Sequence, residues 1–127
     1  GGAGRSGNVA AVRSWVASGA DINVLDVIGG TPLMLASRYH HAECVAELLR
    51  LGADVHHTNH GGETALHEVA WRDRDGDEGA EVVRLLVAAG CDAAARDIQS
   101  CTAVECANIR SPEWSAKLAG WISAAVA

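Results

Sequence analysis

The sequence predicts an all-α solenoid of about three and a half to four helix-turn-helix units with β-turn or hairpin tips. Two short recurring phrases support this. The first phrase ends a helical stretch, at Gly19-Ala20-Asp21, Gly52-Ala53-Asp54 and Gly90-Cys91-Asp92. The second phrase opens the next one, at Thr31-Pro32-Leu33, Thr64-Ala65-Leu66 and Thr102-Ala103-Val104. From Gly19 to Gly52 is 33 residues and from Gly52 to Gly90 is 38, and a period near 33 is typical of stacked helical repeats.

The first unit, residues 1–24, keeps only its second helix, whose apolar stripe is Val12, Trp15 and Val16. Residues 1–6 are too rich in glycine to predict a good first helix. We therefore expect an incomplete unit, with residues 1–6 a tag or linker or the chain cut from a larger array.

The second unit, residues 25–57, shows the pattern most clearly. Asp26 and Gly29 predict a turn, Thr31 a helix cap and Pro32 the first helical position. Leu33 and Ala36 then face the core. Apolar residues three and four apart predict a second helix, which Gly52 ends as a left-handed cap; its stripe is Cys44 or Val45, Leu48 and Leu49.

The third unit, residues 58–95, is five residues longer than the second, and the extra residues fall near 73–79. The spacing of Asp73, Asp75 and Asp77 is like the start of a calcium loop, but Glu78 and Arg84 stand where that loop needs glycine and glutamate. We therefore predict a solvated acidic loop that could attract a basic partner.

The fourth unit, residues 96–127, is predicted to cap the stack. Ser100 replaces the turn glycine, and Val104 and Glu105 stand where the third unit has Leu66 and His67. Ser111-Pro112-Glu113 predicts the start of a last helix. Its apolar face, at spacings of four, seven and eight, is Trp114, Leu118, Trp121 and Ile122, which we expect to be core residues rather than ligand-binding ones.

These phrases resemble the ankyrin repeat, whose motif Asp-x-x-Gly-x-Thr-Pro-Leu-His-x-Ala stands here in three versions. They are Asp26, Gly29, Thr31, Pro32, Leu33, Met34 and Ala36; Asn59, Gly62, Thr64, Ala65, Leu66 and His67; and Asp97, Ser100, Thr102, Ala103, Val104 and Ala107. The resemblance covers about residues 7–110 and implies a single domain, residues 1–127, that binds other proteins without catalysis. It also implies that His67 knits its turn by hydrogen bonds.

The resemblance implies that a protein or peptide partner lies along the turn tips and the exposed side of the first helices. The tip positions are Leu25, Val27, Ile28 and Gly30; Thr58, His60, Gly61 and Glu63; and Arg96, Ile98, Gln99 and Cys101. The helix positions are Arg38, Tyr39, Trp71, Arg72, Ile109 and Arg110. Tyrosine, tryptophan and arginine are enriched at interface hot spots. The alternative is that Trp71 folds under the neighbouring insertion and that Val27 and Ile28 touch the preceding unit.

Composition narrows the possible partners. The net charge of −6 argues against nucleic acid, which needs clustered lysine and arginine. No apolar run reaches the ~18 residues of a membrane span, and no secretion signal is evident. The four cysteines are spaced neither as a disulfide framework nor as a zinc pair. We therefore expect an intracellular monomer without cofactors.

Other readings of the sequence remain open. The chain could be a structural or scaffolding piece of a larger array or multidomain protein. A metal or small ligand could bind through His56, His57 and His60, although a zinc site needs three or four converging ligands. The resemblance also implies that Asn23, which follows Ala20-Asp21-Ile22, is a position that an oxygen-dependent dioxygenase can hydroxylate.

Overall fold

The computed structural model describes residues 2–72 and 78–126, with side chains from residue 9 onward. Within these residues the chain forms seven α-helices and no strand. The helices are α1 (Gly2–Ala17), α2 (Pro32–Arg38), α3 (Ala42–Arg50), α4 (Ala65–Val69), α5 (Glu78–Ala88), α6 (Ala103–Arg110) and α7 (Pro112–Val126). The all-α solenoid predicted from the repeated phrases is therefore confirmed.

The helices stack in two rows. The first-helix row consists of α2, α4 and α6, and the second-helix row consists of α1, α3, α5 and α7. Each helix packs on its neighbour within its row, and α2 on α3, α4 on α5 and α6 on α7 join the rows. The core lies between the rows, because the apolar stripes of both face each other there.

Helix α1 extends further toward the N-terminus than composition predicted. It is one helix from Gly2 to Ala17, so the glycine-rich segment continues the second-helix row. The prediction was that this segment is too rich in glycine for a first helix of its own; here it instead extends the second helix of the unit. The low intrinsic propensity of glycine, about 1 kcal/mol per residue against alanine, is a weak preference that the rest of the helix overrides.

The predicted caps form as expected. The Thr31 hydroxyl accepts a hydrogen bond from the Met34 backbone N–H at 3.3 Å, and Thr64 and Thr102 each form a capping box. Three second helices end at a glycine with a left-handed backbone: Gly19, Gly52 and Gly90, with φ near +100°. These residues place each turn at the same point of its unit.

The short helix α4 ends under side chains from the two neighbouring units. The buried His40 ring nitrogen Nε2 lies 3.0 Å from the Val69 carbonyl oxygen. The Trp114 indole N–H donates to the Ala70 carbonyl oxygen at 2.9 Å. The last carbonyls of a helix lack partners within the helix, so these bonds tie unit 3 to units 2 and 4.

The last helix packs as its spacing predicted. Trp114 and Leu118 are fully buried, and Trp121 and Ile122 pack against the core as partly buried residues. Trp114 and Trp121 meet edge to face, with ring centroids 5.5 Å apart, an arrangement that aromatic rings prefer. Both tryptophans are therefore core residues.

The insertion in unit 3 ends at an earlier residue than predicted. Glu78 and Gly79 already belong to α5, while residues 73–77, with all three aspartates of the calcium-like spacing, lie outside the described residues. Gly79 is buried, and a Cβ there would stand 2.7 Å from the Trp121 ring.

Among the described helices, none has both the length and the apolar character for crossing a membrane.

Candidate interaction surface

The turn tips form a hydrogen-bonded ladder along one edge of the stack. Each tip is closed by a backbone hydrogen bond of about 3 Å from an N–H to a carbonyl oxygen four residues later. The donors are Asp26, Asn59 and Asp97, and the acceptors are Gly30, Glu63 and Cys101. Neighbouring tips are joined from the His60 N–H to the Ile28 carbonyl and from the Ile98 N–H to the Gly61 carbonyl. The ladder holds the predicted tip residues at a regular spacing.

Inside each tip one side-chain oxygen orders the turn. Oδ1 of Asp26 accepts from the backbone N–H groups of Ile28 and Gly30, at 3.0 and 2.8 Å. Asn59 and Asp97 make the same pair of bonds in the next two tips. This local bonding is why asparagine and aspartate favour turns. It fixes the backbone of each tip.

Most of the predicted tip residues are exposed. Val27 is 94% exposed and Ile98 is 74% exposed, and both are apolar. Leu25, Ile28, Thr58, His60, Arg96 and Gln99 are also exposed, Glu63, Gly61 and Cys101 are half-buried, and Gly30 is buried. Gly30 therefore does not belong to the exposed row, because its backbone closes the turn.

Trp71 lies between two arginines from the neighbouring units. The Arg38 guanidinium carbon is 5.1 Å from the centre of the Trp71 ring, and that of Arg110 is 4.8 Å away. The indole N–H donates to Glu63 at 3.2 Å, and the side chain is 42% exposed. These cation–π contacts join Trp71, which follows α4, to side chains of α2 and α6, while the indole remains partly exposed.

The helix positions lie partly outside the helices. Arg38, Ile109 and Arg110 belong to α2 and α6, but Tyr39, Trp71 and Arg72 follow the ends of α2 and α4. Placing all six on the helices was therefore wrong. The Arg72 guanidinium carbon lies 4.1 Å from the Tyr39 ring centre, a second aromatic–arginine pair beside the first.

A cleft of about 240 Å³ opens next to Trp71. Trp71, Gln99, Ile109 and Arg110 are among the residues that line it, with Glu63 and Asp97. Its walls thus combine exposed apolar groups with both signs of charge. Such a mixture of aromatic, apolar and arginine side chains is typical of protein interfaces.

Sequence reasoning missed two buried acids, Glu47 of α3 and Glu68 of α4. Glu68 is 4% exposed, and its Oε2 accepts from Arg38 Nε at 2.9 Å. Burial raises the pKa of this carboxyl, against the lowering effect of Arg38. The register of Glu68 did not signal its burial, because the equivalent residue of unit 2, Leu35, is exposed.

His67 has the structural role that the resemblance implied. Its Nδ1 accepts from the Thr64 backbone N–H at 3.1 Å, and its Nε2 therefore carries the proton and donates to the Cys101 carbonyl at 2.8 Å. The imidazole joins its own turn to the next unit. Both nitrogens are thus engaged.

The histidines that suggested a metal site do not converge among the described residues. There, the single group of three possible ligands is His67, Asp97 and Cys106, whose ligand atoms lie within 4.8 Å of one another. Burial and the neighbouring Asp97 raise the pKa of the Cys106 thiol to about 12. With both His67 nitrogens hydrogen-bonded, this group fits a hydrogen-bond network rather than a metal centre.

Two of the histidines considered for a metal site take part in turns. The His57 ring nitrogen Nε2 lies 2.7 Å from the Gly29 carbonyl oxygen, and the His56 backbone N–H donates to Asp54 Oδ1 at 2.9 Å. Asn23 also serves a turn, since its Oδ1 accepts from the Asp54 backbone N–H at 2.9 Å. Hydroxylation of Asn23 stays a prediction.

Two rows of paired helices with exposed tips define a helical-repeat solenoid of the kind that binds through an extended surface. The family model described as ankyrin repeats, in three copies, matches residues 2–107. The chain belongs to the ankyrin-repeat family. Ankyrin repeats are a generic protein-interaction module, and the family is generally non-catalytic.

Several curated proteins are similar to parts of this chain. Human ankyrin repeat domain-containing protein 13B is 50% identical over 54 residues, which are 42% of this chain and 9% of that protein. The putative ankyrin repeat protein YahD of Escherichia coli is 38% identical over 58 residues, 46% of this chain and 29% of that protein.

A longer match is to the palmitoyltransferase Hip14 of Drosophila melanogaster, 36% identical over 98 residues, 77% of this chain and 15% of that protein. The chain thus spans less than a third of the length of each of these relatives. The similarity to Hip14 lies in the repeats and carries no evidence of enzymatic activity.

Proposed function

We propose that this chain binds a protein or peptide partner along the surface formed by its turn tips and first-helix row, without catalysis. The observation that carries the proposal is Trp71, which is exposed, makes cation–π contacts with Arg38 and Arg110, and lines a cleft of apolar and charged residues. Ordered, exposed tryptophan and arginine are the residues that dominate binding energy at interfaces.

Exposed apolar residues extend this surface beyond Trp71. Val27, Ile28 and Ile98 at the tips and Ile109 on α6 are all well exposed. Single exposed apolar side chains need no explanation, but a row of them along one edge is a candidate contact surface. The free cysteines Cys44 and Cys91 are buried, which suits a reducing compartment, so we propose an intracellular setting.

The test is an affinity capture from a lysate of cells that express the protein. The native chain is compared with a double variant, Trp71→Ala with Ile28→Glu. The control makes closely similar changes away from this surface, Trp15→Ala with Val126→Glu. All three chains must first show the same thermal unfolding.

The proposal expects partners that the native chain and the control retain and the double variant loses. A hot spot at Trp71 is worth about 2 kcal/mol or more, a weakening of roughly 30-fold. Equal retention by all three chains would contradict the proposal.

A second candidate function is that of a structural piece of a larger array. The small shares of the relatives that this chain covers favour it. So does a cleft of about 340 Å³ beside α2, lined by apolar residues that include Val12, Leu35 and Tyr39. Light scattering on native chain and Leu35→Lys tests it: self-association that the substitution abolishes supports this reading, and a monomer at all concentrations counts against it.

A further inference from the structure

Glu68 is a charged residue in a position where the other units place uncharged ones. The equivalent residues are Leu35 and Cys106, each four positions after its capping threonine. Leu35 is exposed, whereas Glu68 is 4% exposed. Glutamate is rarely buried to this degree unless it is fully paired.

The carboxylate of Glu68 is only half satisfied. Oε2 accepts from Arg38 Nε at 2.9 Å. Oε1 is buried, and it has no hydrogen-bond partner among the described residues. A buried acceptor without a donor lowers stability, and native proteins keep few of them.

The charges around Glu68 call for a cation. Asp26 and Glu63 both raise the pKa of its carboxyl by repulsion, and Arg38 alone among the neighbouring charges opposes them. Burial is the largest cause of the raised pKa. Among the described residues, Arg38 is thus the one cation that opposes two neighbouring negative charges at Glu68, and a second positive group beside Oε1 would relieve the imbalance.

Glu68 lines a small cleft between the tip of unit 2 and the first helices. The cleft holds about 40 Å³ of space, and Asp26, Ile28, Leu35, Arg38 and Asn59 are among its other walls. One water molecule needs about 10–15 Å³ of such space, so the head of a basic side chain fits. Because Oε1 is itself buried, a lining side chain must rotate on entry, and Leu35 and Arg38 are both partly exposed.

We propose that the partner presents a basic segment and inserts one lysine or arginine side chain into this cleft, where its N–H donates to Glu68 Oε1. The proposal rests on the interaction surface proposed above, since the cleft lies between a tip and the first-helix row. It specifies the partner's chemistry: a positively charged segment flanked by apolar groups, rather than an acidic one.

The test uses short random linear peptides selected by display on the native chain. Affinities of the selected peptides are then measured for native chain, Glu68→Gln and Glu81→Gln. Glu81 is exposed on α5 and paired with Arg84, so its substitution makes the same change of net charge away from the cleft. Each peptide is also made with its basic residue replaced by norleucine, which keeps the length and removes the charge.

The expected result is a recurrent lysine or arginine among the selected peptides. Glu68→Gln should weaken their binding roughly 30-fold or more, and Glu81→Gln should leave it unchanged. The norleucine peptide should bind the Glu68→Gln chain no more weakly than it binds the native chain, because the same contact is lost in either case.

Thermal unfolding separates this role from a structural one. Since the buried charge costs stability, Glu68→Gln should unfold at pH 7 at the same temperature as the native chain or higher. A clear fall in stability would overturn the proposal in favour of a structural role for the Arg38 pair.

The outcomes also separate this proposal from the proposed function. Because Ile28 lines the cleft, the variant used here is Trp71→Ala alone. Peptides that Trp71→Ala no longer binds, but that Glu68→Gln binds as tightly as the native chain, overturn the basic segment alone. Peptides that Trp71→Ala binds like the native chain, or a selection that yields none, overturn both.

Discussion

Replacing Trp114 by phenylalanine tests how unit 4 is fastened to unit 3. Trp114 is 1% exposed, and its indole N–H satisfies the Ala70 carbonyl beyond the end of α4. Phenylalanine keeps most of the ring but leaves that carbonyl buried without a donor, which costs about 1–3 kcal/mol. The lost ring atoms add about 1 kcal/mol, so we expect a loss of about 2–4 kcal/mol.

The assay is urea unfolding followed by circular dichroism, with Trp71→Phe as the matched control. Trp71 is exposed, and its indole bond to Glu63 is open to water, so the same change there should cost less than about 1 kcal/mol. Equal losses for the two variants would refute the reasoning. A Trp114→Phe chain would also refute it if its free energy of unfolding lay within about 0.5 kcal/mol of the native value and depended on urea concentration with the same slope.

The remaining predictions concern a turn, an ion pair and a modification. Ser100 has a left-handed backbone, φ +65°, so Ser100→Gly should raise stability by about 0.5–1 kcal/mol; a lower unfolding temperature contradicts this. Hydrogen bonds from Arg50 and Arg13 lower the pKa of the Glu47 carboxyl from 4.5 to about 2. The stability from that group is present above pH 4.5 and is lost as the pH falls toward 2. Glu47→Gln should therefore make the free energy of unfolding fall less steeply with decreasing pH over that range. The same pH dependence in both chains would count against this. Incubation with an asparagine dioxygenase should add one oxygen to the native chain but none to Asn23→Ala, as measured by intact mass. An unchanged mass of the native chain would contradict the prediction.

The repeated phrases predicted the fold well because they encode local structure. A glycine after an apolar stripe predicts a left-handed cap, and Gly19, Gly52 and Gly90 all form one. Ser111 likewise caps α7, with its hydroxyl accepting from the Trp114 N–H at 3.2 Å. These signals involve residues within a few positions of one another, where spacing alone fixes geometry.

The candidate site was predicted only in part, because its contacts join distant residues. The resemblance implied exposed positions at Val27, Ile98 and Trp71, with contacts of Val27 and Trp71 inside the stack left as the alternative. The contacts of Arg38 and Arg110 with Trp71 were not predicted, since each arginine is more than 30 residues away in sequence. The burial of Glu68 was also missed, because a glutamate on a short helix reads as a solvent-exposed residue.

The early end of α4 also escaped prediction. The helix stops at Val69, and its last carbonyls bind side chains of other units rather than continuing the helix. Nothing in the sequence between Leu66 and Arg72 signals this, because the donors lie in units 2 and 4. Trp71 therefore lies beyond the end of the helix, where it contacts the two arginines.

Site-specific photo-crosslinking tests most directly which face of the stack binds. A photoreactive phenylalanine analogue is placed at Val27 and Ile109 on the proposed surface, and at Ala46 and Arg84, which are exposed on the second-helix row. After illumination in a lysate of cells that express the protein, we expect discrete heavier products from Val27 and Ile109 alone. Products from Ala46 and Arg84 alone, or the same products from all four positions, would contradict binding along the tips and first helices.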